Sequence, residues 1–435
     1  METNKIRIPE SNYKKVVVIG GGFAGLNLAK KLKNKPFQVI FLDRNNFHQF
    51  QPLLYQVATS GIVPDSITFP FRKEFNHFKN IFFRMANVLS IDPQIQTVFS
   101  DIGSIEYDYL VIATGSDTNF FGMENVERNS FGMKSIQEAL DIRSLILEHL
   151  ERAVVTTDLI ERKALMNFTI IGGGPAGVET AGALAEFKRF ILPKDYPDLD
   201  ASNMSIHIVE ASDKLLGTMS KTASEKSQKY LEELGVNIYL NTAVTSYDGF
   251  NIETNGVVGL KSKSVIWTAG VKGSSPEGLT SEQYTRGNRI LVNEFSQIKN
   301  LENVFAIGDV ACMITESTPK GHPMLAQVAI QQGRLLGENL LRNINGKEMQ
   351  PFTYKDKGSM ATVGKRRAVA DLGRFKFGGY FAWLLWSGVH LISISGFKNK
   401  LLVGISWVWS YFTFDKGNRL IIRRYQKKKV EEFVD

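Results

Sequence analysis

The chain has 435 residues, 43% hydrophobic and 22% charged, a balance typical of a folded protein with two or three domains. Its single cysteine, Cys312, excludes an intramolecular disulfide, a redox-active cysteine pair and every multi-cysteine zinc or iron–sulfur site. The six histidines show no metal-ligand spacing, so we expect no metal site. The N-terminal segment METNKIRIPESNYKK lacks the apolar core of a signal peptide, and we therefore expect a cytoplasmic protein.

The first strong pattern is a glycine-rich turn in KKVVVIGGGFAGLNLAKKL. A short β-branched run predicts a buried strand, Gly20, Gly22 and Gly25 complete G-x-G-x-x-G, and the following residues predict a helix. The next predicted strand, FQVIFLD, ends at Asp43. Such glycines permit a tight turn and let backbone N–H groups approach a pyrophosphate, while the acid accepts ribose hydroxyls. The stretch therefore predicts a dinucleotide-binding fold.

The same pattern recurs in NFTIIGGGPAGVETAGALAEF, where Gly172, Gly174 and Gly177 follow an apolar strand. The next predicted strand, MSIHIVEAS, ends at Glu210, which is further away because KRFILPKDYPDLDAS intervenes. Two fingerprints predict two dinucleotides, a flavin and a nicotinamide, of which one stays bound. A carboxylate repels a 2′-phosphate, and no arginine directly follows Glu210, so NADH is predicted over NADPH.

Two later segments repeat a second feature of the fold. YDYLVIATGS and KSVIWTAGV each place a strand before a turn of small residues, one after each fingerprint. LENVFAIGDVA then places Asp309 at a strand end, where a helix could begin. This carboxylate suits a polyol chain, and a helix N-cap is a compatible second role. Cys312 and the histidines are interpreted as structural, with His390 in a packing or interfacial role.

The C-terminal region carries the apolar and basic bias of the chain. Residues 380–414 hold four of the five tryptophans, and their only formal charges are Lys398 and Lys400. Residues 398–429 contain nine basic side chains and Asp415, which together account for the whole net charge of +8. The nine are Lys398, Lys400, Lys416, Arg419, Arg423, Arg424, Lys427, Lys428 and Lys429.

This region is predicted to lie on a membrane rather than to cross it. Residues 380–397 are short for a span and carry a polar stripe, Ser387, His390 and Ser393. Residues 401–414 are shorter still. Their helical spacing predicts a shared apolar face, formed by Leu401, Leu402, Ile405, Val408, Trp409 and Phe412. The opposite face contains Ser406, Val403, Trp407 and Ser410.

We therefore expect a monotopic anchor of two amphipathic helices. The basic cluster would be attracted to anionic lipid by ~1 kcal/mol per residue near the surface. The alternative is a buried dimer interface, and the two roles can coexist.

On these residues the chain resembles the type II NADH dehydrogenases, non-pumping NADH:quinone oxidoreductases among the flavoproteins with two dinucleotide-binding domains. The resemblance covers nearly the whole chain. Besides the two fingerprints it rests on FHQFQPLLYQVATSGI, YDYLVIATGS, FAIGDVA, MLAQVAIQQG and AWLLWSGVHLISISGFKNKLLVGISWVWSY. It implies an α/β fold of two Rossmann-like domains, with the FAD domain split by an inserted NADH domain, and a C-terminal membrane-docking region with amphipathic helices.

The resemblance also implies domain boundaries and site residues. The FAD domain would cover 10–118 and 278–345, the NADH domain 119–277, and the membrane-anchoring and dimerisation region 346–435. FAD would be held by Gly20, Gly22, Gly25, Asp43, Thr114, Gly115, Asp309 and Ala326. NADH would be held by Gly172, Gly174, Gly177 and Glu210.

Two residues are the implied catalytic candidates, Glu179 beside the nicotinamide and Gln327 beside the flavin ring. Glu179 would orient nicotinamide and relay protons to the reduced quinone, and Gln327 with Gln331 would meet the quinone. The simpler interpretations are a carboxylate favoured by the helix dipole, by up to ~1 kcal/mol, and glutamines on a helix surface. Glu210 has a simple alternative too, as an exposed acid at a strand end.

The implied activity is that of an NADH:quinone oxidoreductase of a respiratory chain. It passes a hydride from NADH to FAD and two electrons to a membrane quinone, without proton pumping. The expected partners are a membrane quinone, an anionic lipid surface and a second copy of the chain, but no nucleic acid. We expect a peripheral, monotopic protein on the cytoplasmic face of the cell membrane. The alternatives are a soluble NADH-dependent reductase of the ferredoxin type, against which the tail argues, and an NADH-sensing flavoprotein with weak turnover.

Overall fold

A computed structural model describes residues 4–256, 259–316 and 318–425. The chain forms two compact units. The first unit comprises 1–48, 69–117 and 271–356, and the second comprises 49–68, 118–270 and 357–435. Residues Lys427, Lys428 and Lys429 of the basic cluster lie outside the described residues.

The helices and strands are numbered in chain order. The α-helices are α1 (Phe23–Lys31), α2 (Leu54–Ala58), α3 (Phe71–Phe75), α4 (Glu124–Asn129), α5 (Ile136–Val155), α6 (Leu159–Leu165), α7 (Pro175–Phe190), α8 (Leu192–Asp195), α9 (Lys221–Glu233), α10 (Ala326–Ile344), α11 (Tyr380–Ser393) and α12 (Phe397–Thr413). The strands up to the second fingerprint are β1 (Lys14–Ile19), β2 (Phe37–Asp43), β3 (Phe47–Gln49), β4 (Thr68–Pro70), β5 (Ile81–Met85), β6 (Val88–Asp92), β7 (Thr97–Ser100), β8 (Gly103–Glu106), β9 (Tyr109–Ile112), β10 (Ser116–Thr118), β11 (Phe131–Gly132) and β12 (Asn167–Ile171). The later strands are β13 (Ser205–Val209), β14 (Asn237–Tyr239), β15 (Val244–Tyr247), β16 (Asn251–Thr254), β17 (Leu260–Lys261), β18 (Ser264–Trp267), β19 (Val271–Gly273), β20 (Ile290–Val292), β21 (Val304–Ala306), β22 (Ala311–Met313), β23 (Ser359–Thr362), β24 (Ala368–Leu372) and β25 (Phe375–Gly379).

The first unit is built on a five-stranded parallel sheet in the order β21-β9-β1-β2-β5. The valines of β1 are fully buried, because helices and loops cover both faces of a parallel sheet. Helix α1 connects β1 to β2, and α10 packs against α1, where a side chain at Gly333 would lie 2.3 Å from the carbonyl oxygen of Ala24. A three-stranded antiparallel sheet, β6-β7-β8, completes the unit together with the short parallel pair of β20 and β22.

The second unit repeats this architecture with a parallel sheet in the order β11-β18-β12-β13-β14. Helix α7 connects β12 to β13, and the predicted insertion forms α8 and the short 3₁₀ helix Ala201–Asn203. Two antiparallel sheets, β15-β16-β17 and β23-β24-β25, belong to the same unit. The predicted α/β class with two Rossmann-like folds is therefore confirmed.

The C-terminal helices belong to the second unit, together with residues 49–68. The region predicted as a separate domain, 346–435, is thus divided, since 346–356 lie in the first unit. The predicted functional boundaries stay a prediction. None of the helices in the described part of the chain is long and apolar enough to cross a membrane.

Helix α12 packs through the face that the sequence left mixed. Val403 is fully buried, the indole of Trp407 donates a hydrogen bond to Gln56 Oε1 at 2.8 Å, and Asn399 Nδ2 donates to the carbonyl oxygen of Thr68 at 2.7 Å. The predicted apolar face is the exposed one, formed by Leu401, Leu402, Ile405, Val408, Trp409 and Phe412. Helix α11 likewise exposes Phe381, Leu384, Leu385, Val389 and Ile392.

Candidate active site

At two positions of the first fingerprint turn, contacts with the protein backbone leave room only for glycine. Gly20 has a φ of +101°, and a Cβ there would lie 2.4 Å from the carbonyl oxygen of Ala113. A Cβ at Gly25 would lie 2.0 Å from the carbonyl oxygen of Gly20. These contacts hold α1 close to the end of β1 and to the turn after β9. Side chains at either position would force the turn apart.

The middle glycine of this fingerprint is different. A Cβ at Gly22 would meet no described atom within 4 Å, and its φ of −68° suits any residue. Gly22 is also the N-cap of α1, and no side chain caps the helix there. The uncapped N-terminus of α1 therefore lies at this turn, and its positive end fits the pyrophosphate of FAD.

Asp43 ties the end of β2 to this turn. Its Oδ2 accepts the N–H of Gly21 at 2.6 Å, and its Oδ1 accepts the N–H of Asn45 at 2.7 Å. Burial raises the pKa of the Asp43 carboxyl, and these hydrogen bonds oppose that rise. Because a carboxylate can accept about four hydrogen bonds, it can still bind ribose hydroxyls.

The later segments of the first unit converge on the same helix. Gly308 lies against Ala24 of α1, since a Cβ there would be 3.1 Å from the Cβ of Ala24. The next residue, Asp309, accepts a hydrogen bond from Ser116 Oγ at 2.7 Å. Asp309 lies within a short 3₁₀ helix, Gly308–Val310, at the strand end where the sequence suggested that a helix could begin. Thr114 Oγ1 donates to the carbonyl oxygen of Ser274, and a Cβ at the adjacent Gly115 would meet open space.

Helix α10 carries the residues predicted near the flavin ring and the quinone. Ala326 is its first residue, and Gln327 is partly exposed in its first turn. Gln331 lies one turn further, with its Nε2 donating to the carbonyl oxygen of Lys355 at 2.9 Å. Its Oε1 accepts the N–H of Lys355 at 3.1 Å. The amide of Gln331 thus holds the backbone at Lys355, a role that the sequence did not indicate.

The second fingerprint has the same geometry as the first. A Cβ at Gly177 would lie 1.9 Å from the carbonyl oxygen of Gly172, whereas one at Gly174 would meet nothing within 4 Å. Glu210 accepts the N–H of Gly173 at 2.6 Å, as Asp43 accepts the corresponding N–H of the first turn. The longer insertion therefore does not shift the acid, and this site fits a second dinucleotide.

Glu179 lies in a cavity of about 90 Å³ within the second unit. The side chain is only 8% exposed, and its Oε1 accepts the N–H of Thr362 at 3.2 Å. Burial raises the pKa of this carboxyl to about 8, while Thr362 and the nearby indole of Trp386 partly oppose the rise. The lining combines residues of α2, α7, α11 and α12 and is mostly polar or aromatic: Tyr55, Gln56, Thr59, Gly61, Glu179, Ala183, Glu186, Thr362, Gly364, Lys365, Trp383, Trp386, Ser387, Trp407, Ser410 and Lys416.

Three charged residues of this cavity were not singled out from the sequence as site residues. Glu186 lies two turns after Glu179 on α7 and accepts the N–H of Lys365. Lys416 is 9% exposed and donates to the carbonyl oxygen of Ala183 at 2.9 Å. Burial raises the pKa of Glu186 and lowers that of Lys416, and their mutual attraction opposes both changes. The only sequence signal was the seven-residue spacing of two acids on an apolar helix.

His48 is a further residue that the sequence analysis treated as structural. It is 4% exposed, and its Nδ1 lies 2.9 Å from the carbonyl oxygen of Gly21 in the first fingerprint. Burial lowers the pKa of its imidazole. A carbonyl only accepts, so the neutral ring carries its proton on Nδ1. His48 therefore braces the turn that would hold FAD.

The structure groups the predicted residues into two sets. The candidates for FAD and for the quinone edge, including Gln327, belong to the first unit. The candidates for NADH, with Glu179, belong to the second. Within the described residues, no group of three or more His, Cys, Asp or Glu side chains is placed to hold a metal ion.

Comparisons with known proteins agree along most of the chain. A family model described as pyridine nucleotide-disulphide oxidoreductase matches residues 14–333, and one described as NDH2 C-terminal domain matches 357–414. The type II NADH:quinone oxidoreductase Ndh of Mycobacterium tuberculosis is 34% identical, over 97% of this chain and 93% of that protein. The type II NADH:quinone oxidoreductase of Haemophilus influenzae is 30% identical, over 84% of this chain and 88% of that protein.

Solved structures show the same fold. NDH2 from Plasmodium falciparum, in complex with NADH, superposes with a TM-score of 0.87 at 20% identity, covering 95% of this chain and all of that one. The sulfide:quinone oxidoreductase of Aquifex aeolicus gives a TM-score of 0.70 at 21% identity, over 89% of this chain and 92% of that chain. Because relatives more than 30% identical align over nearly its full length, this chain belongs to the type II NADH:quinone oxidoreductases.

Proposed function

We propose that this chain oxidises NADH and reduces a membrane quinone through one bound FAD, as a respiratory enzyme that does not pump protons. When bound, FAD would supply the redox chemistry that links hydride transfer from NADH to the two-electron reduction of the quinone. The residues proposed to hold it are Gly20, Gly22, Gly25, Asp43, Thr114, Gly115, Asp309 and Ala326. Those proposed for NADH are Gly172, Gly174, Gly177 and Glu210.

The observation that carries this proposal is the cavity around Glu179. A buried carboxyl with a pKa near 8 keeps most of its protons at pH 7. The tail helices α11 and α12 contribute to the lining, so an acceptor dissolved in lipid would approach along them. We propose that Glu179 holds the proton that is passed to the reduced quinone. Gln327 would contribute its amide to the quinone edge, and Gln331 would offer only the N–H that remains besides its two bonds to the backbone of Lys355.

Membrane docking is supported by the exposed apolar faces of α11 and α12. Monomeric proteins rarely expose so many large apolar side chains together, and aromatic residues suit the lipid headgroup level. We propose that both helices lie flat on the cytoplasmic leaflet.

Fewer basic residues are available for lipid than the sequence suggested. Lys416 is buried, Arg419 pairs with Asp195 at 2.5 Å, and Arg423 pairs with Asp141 at 2.8 Å. The remaining described cations are Lys398, Lys400 and Arg424. The electrostatic attraction is therefore smaller than the net charge implied, and apolar burial carries more of the docking. A homodimer that uses part of the same region stays a prediction.

The test follows the two half-reactions on the purified protein. NADH should bleach the yellow colour of the bound flavin, and a short-chain quinone should restore it within the turnover time. Glu179→Gln should keep its FAD content and change the turnover. Slow reoxidation with a long-lived reduced state would contradict the proposal and favour an NADH-sensing flavoprotein.

A further inference from the structure

A chain of hydrogen bonds runs from the tail helix α12 to Glu179. Trp407 Nε1 donates to Gln56 Oε1 at 2.8 Å, and Gln56 Nε2 donates to the hydroxyl of Tyr55 at 3.0 Å. The Tyr55 hydroxyl lies 3.0 Å from Thr362 Oγ1. Thr362 in turn reaches Glu179 Oε1, through its N–H at 3.2 Å and through its hydroxyl at 3.5 Å. All five residues belong to the second unit.

The indole at one end fixes the orientation of the Gln56 amide, and the need to satisfy each buried hydroxyl proton then sets the direction of the next bonds. An indole N–H can only donate, so the atom of Gln56 that faces Trp407 is the oxygen, and the NH₂ group faces Tyr55. The Tyr55 hydroxyl accepts that bond, and we assign its own proton to Thr362 Oγ1, because the reverse direction would leave a buried hydroxyl proton without an acceptor. When Glu179 is ionised, Thr362 directs its hydroxyl proton to Glu179 Oε1. Every donor therefore points toward the carboxyl group.

Because these residues are buried, the direction of the hydrogen bonds affects the ionisation of Glu179. Tyr55 is 6% exposed and Thr362 is 3% exposed, so neither hydroxyl has ready access to solvent as an alternative partner. Burial also raises the pKa of the Tyr55 hydroxyl, which keeps it protonated and able to donate. In a low-dielectric site, successive bonds polarise one another by about 10–30% per bond. A chain of donors ending on Glu179 stabilises the carboxylate over the protonated acid.

Other groups face Glu179 as well. Trp386 is 2% exposed and its Nε1 has no hydrogen-bond partner among the described residues, although the indole lies near enough to affect Glu179. The charged groups that line the same cavity are Glu186, Lys365 and Lys416. None of them belongs to the chain that starts at Trp407. All three are kept in every variant compared below.

We propose that Trp407 is a positioning residue, whose indole N–H directs Gln56, Tyr55 and Thr362 to donate toward Glu179. The inference rests on the proposed function only in treating Glu179 as the catalytic acid. It adds that the helix proposed to lie on the membrane is linked to that acid by four successive hydrogen-bonded steps. A displacement of α12 would then change how readily Glu179 gives up its proton.

The test is a pH titration of Glu179 in the purified holoenzyme in detergent, followed by infrared difference spectroscopy. The band of the protonated carboxyl is identified as the one lost in Glu179→Gln. Thr362→Val removes the last side-chain donor and should raise the midpoint by about 1 pH unit. Tyr55→Phe and Trp407→Phe remove earlier donors and should raise it by about 0.5 and about 0.2–0.3 unit, because their effect is relayed.

Two matched controls separate this role from general packing. Trp409→Phe changes an indole on the same helix that is 62% exposed, and Tyr247→Phe removes a buried hydroxyl that donates to the carbonyl oxygen of Ser262. Both should keep the wild-type midpoint. Midpoints that move downward, or that move equally in Trp407→Phe and Trp409→Phe, would overturn the proposal. If the wild-type protein fails to reduce quinone, the proposed function fails, but the titration still decides the role of Trp407.

Discussion

Replacing Glu179 with glutamine should stabilise the protein at alkaline pH. The side chain is 8% exposed and faces Thr362 and the indole of Trp386 in a small cavity. Burial raises its pKa from the ordinary 4.5 to about 8. Between pH 4.5 and about pH 8, the Glu179 carboxyl is therefore protonated in the folded protein and ionised in the unfolded chain. The free energy of unfolding falls as the pH rises through this window. Glutamine does not ionise, so the variant lacks this loss of stability.

The magnitude follows from the size of this change. At about 1.4 kcal/mol per pH unit, the step from 4.5 to about 8 corresponds to roughly 4–5 kcal/mol above pH 9. The glutamine NH₂ group also needs a partner in the cavity, and a missing one costs about 1–3 kcal/mol. We therefore expect Glu179→Gln to be more stable by roughly 1–4 kcal/mol at pH 9. At pH 4.5 the gain should vanish or reverse.

The assay is denaturant unfolding of the holoenzyme between pH 4.5 and pH 9.5, with the wild type and Glu179→Gln measured side by side. The difference in the free energy of unfolding should grow with pH and level off near pH 9. The turnover profile should change in the same range, because the variant has no proton to lose. Parallel stability curves for the two proteins would refute the reasoning, since they would mean that Glu179 ionises normally.

Three further predictions concern the dinucleotides and the membrane. Gly22→Ala should fold normally but bind FAD at least tenfold more weakly, whereas Gly25→Ala should destabilise the apoprotein. A calorimetric scan measures the stability of each variant, and an FAD titration measures its affinity for the cofactor. Glu210→Gln should raise kcat/KM for NADPH relative to NADH about tenfold, and equal values for both nucleotides in the wild type would contradict the assignment. Replacing Phe381 and Phe412, which are 77% and 75% exposed, with serine should weaken binding to anionic vesicles about tenfold each, and unchanged co-sedimentation would argue for a dimer interface instead.

Point substitutions are preferable to removal of the tail. Val403 and Trp386 of the tail helices are buried, and Lys416 beyond them binds the carbonyl oxygen of Ala183. A truncation before Gly379 would therefore open the cavity around Glu179 as well as remove the docking surface. Loss of membrane binding and loss of activity could not be separated in such a variant.

The sequence by itself determined the two dinucleotide turns. Each one is a local device in which strand, turn, helix and acid follow one another, so no distant partner is needed to recognise it. The position of Glu210 could be predicted despite the insertion. The strand before it runs parallel to the first strand of the fingerprint, so both strands end at the same edge of the sheet. In both turns the acid accepts the N–H of the glycine after the first fingerprint glycine, Gly21 or Gly173.

For the tail helices, the sequence determined only part of the packing. Helical period shows which residues share a face, but it does not show which face meets protein. Tertiary structure decided that Val403 and Trp407 pack inward, because Gln56 and its neighbours offer a partner there. It also removed Lys416 from the charges available to lipid.

The surroundings of Glu179 were decided by the tertiary structure alone. Its hydrogen-bond partner Thr362 lies 183 positions away, and Tyr55 lies 307 positions before Thr362. No local pattern relates residues at such separations, because only chain folding brings them together. The sequence could therefore indicate an acid beside the cofactor, whereas its raised pKa and its link to Trp407 arise from burial among four distant segments.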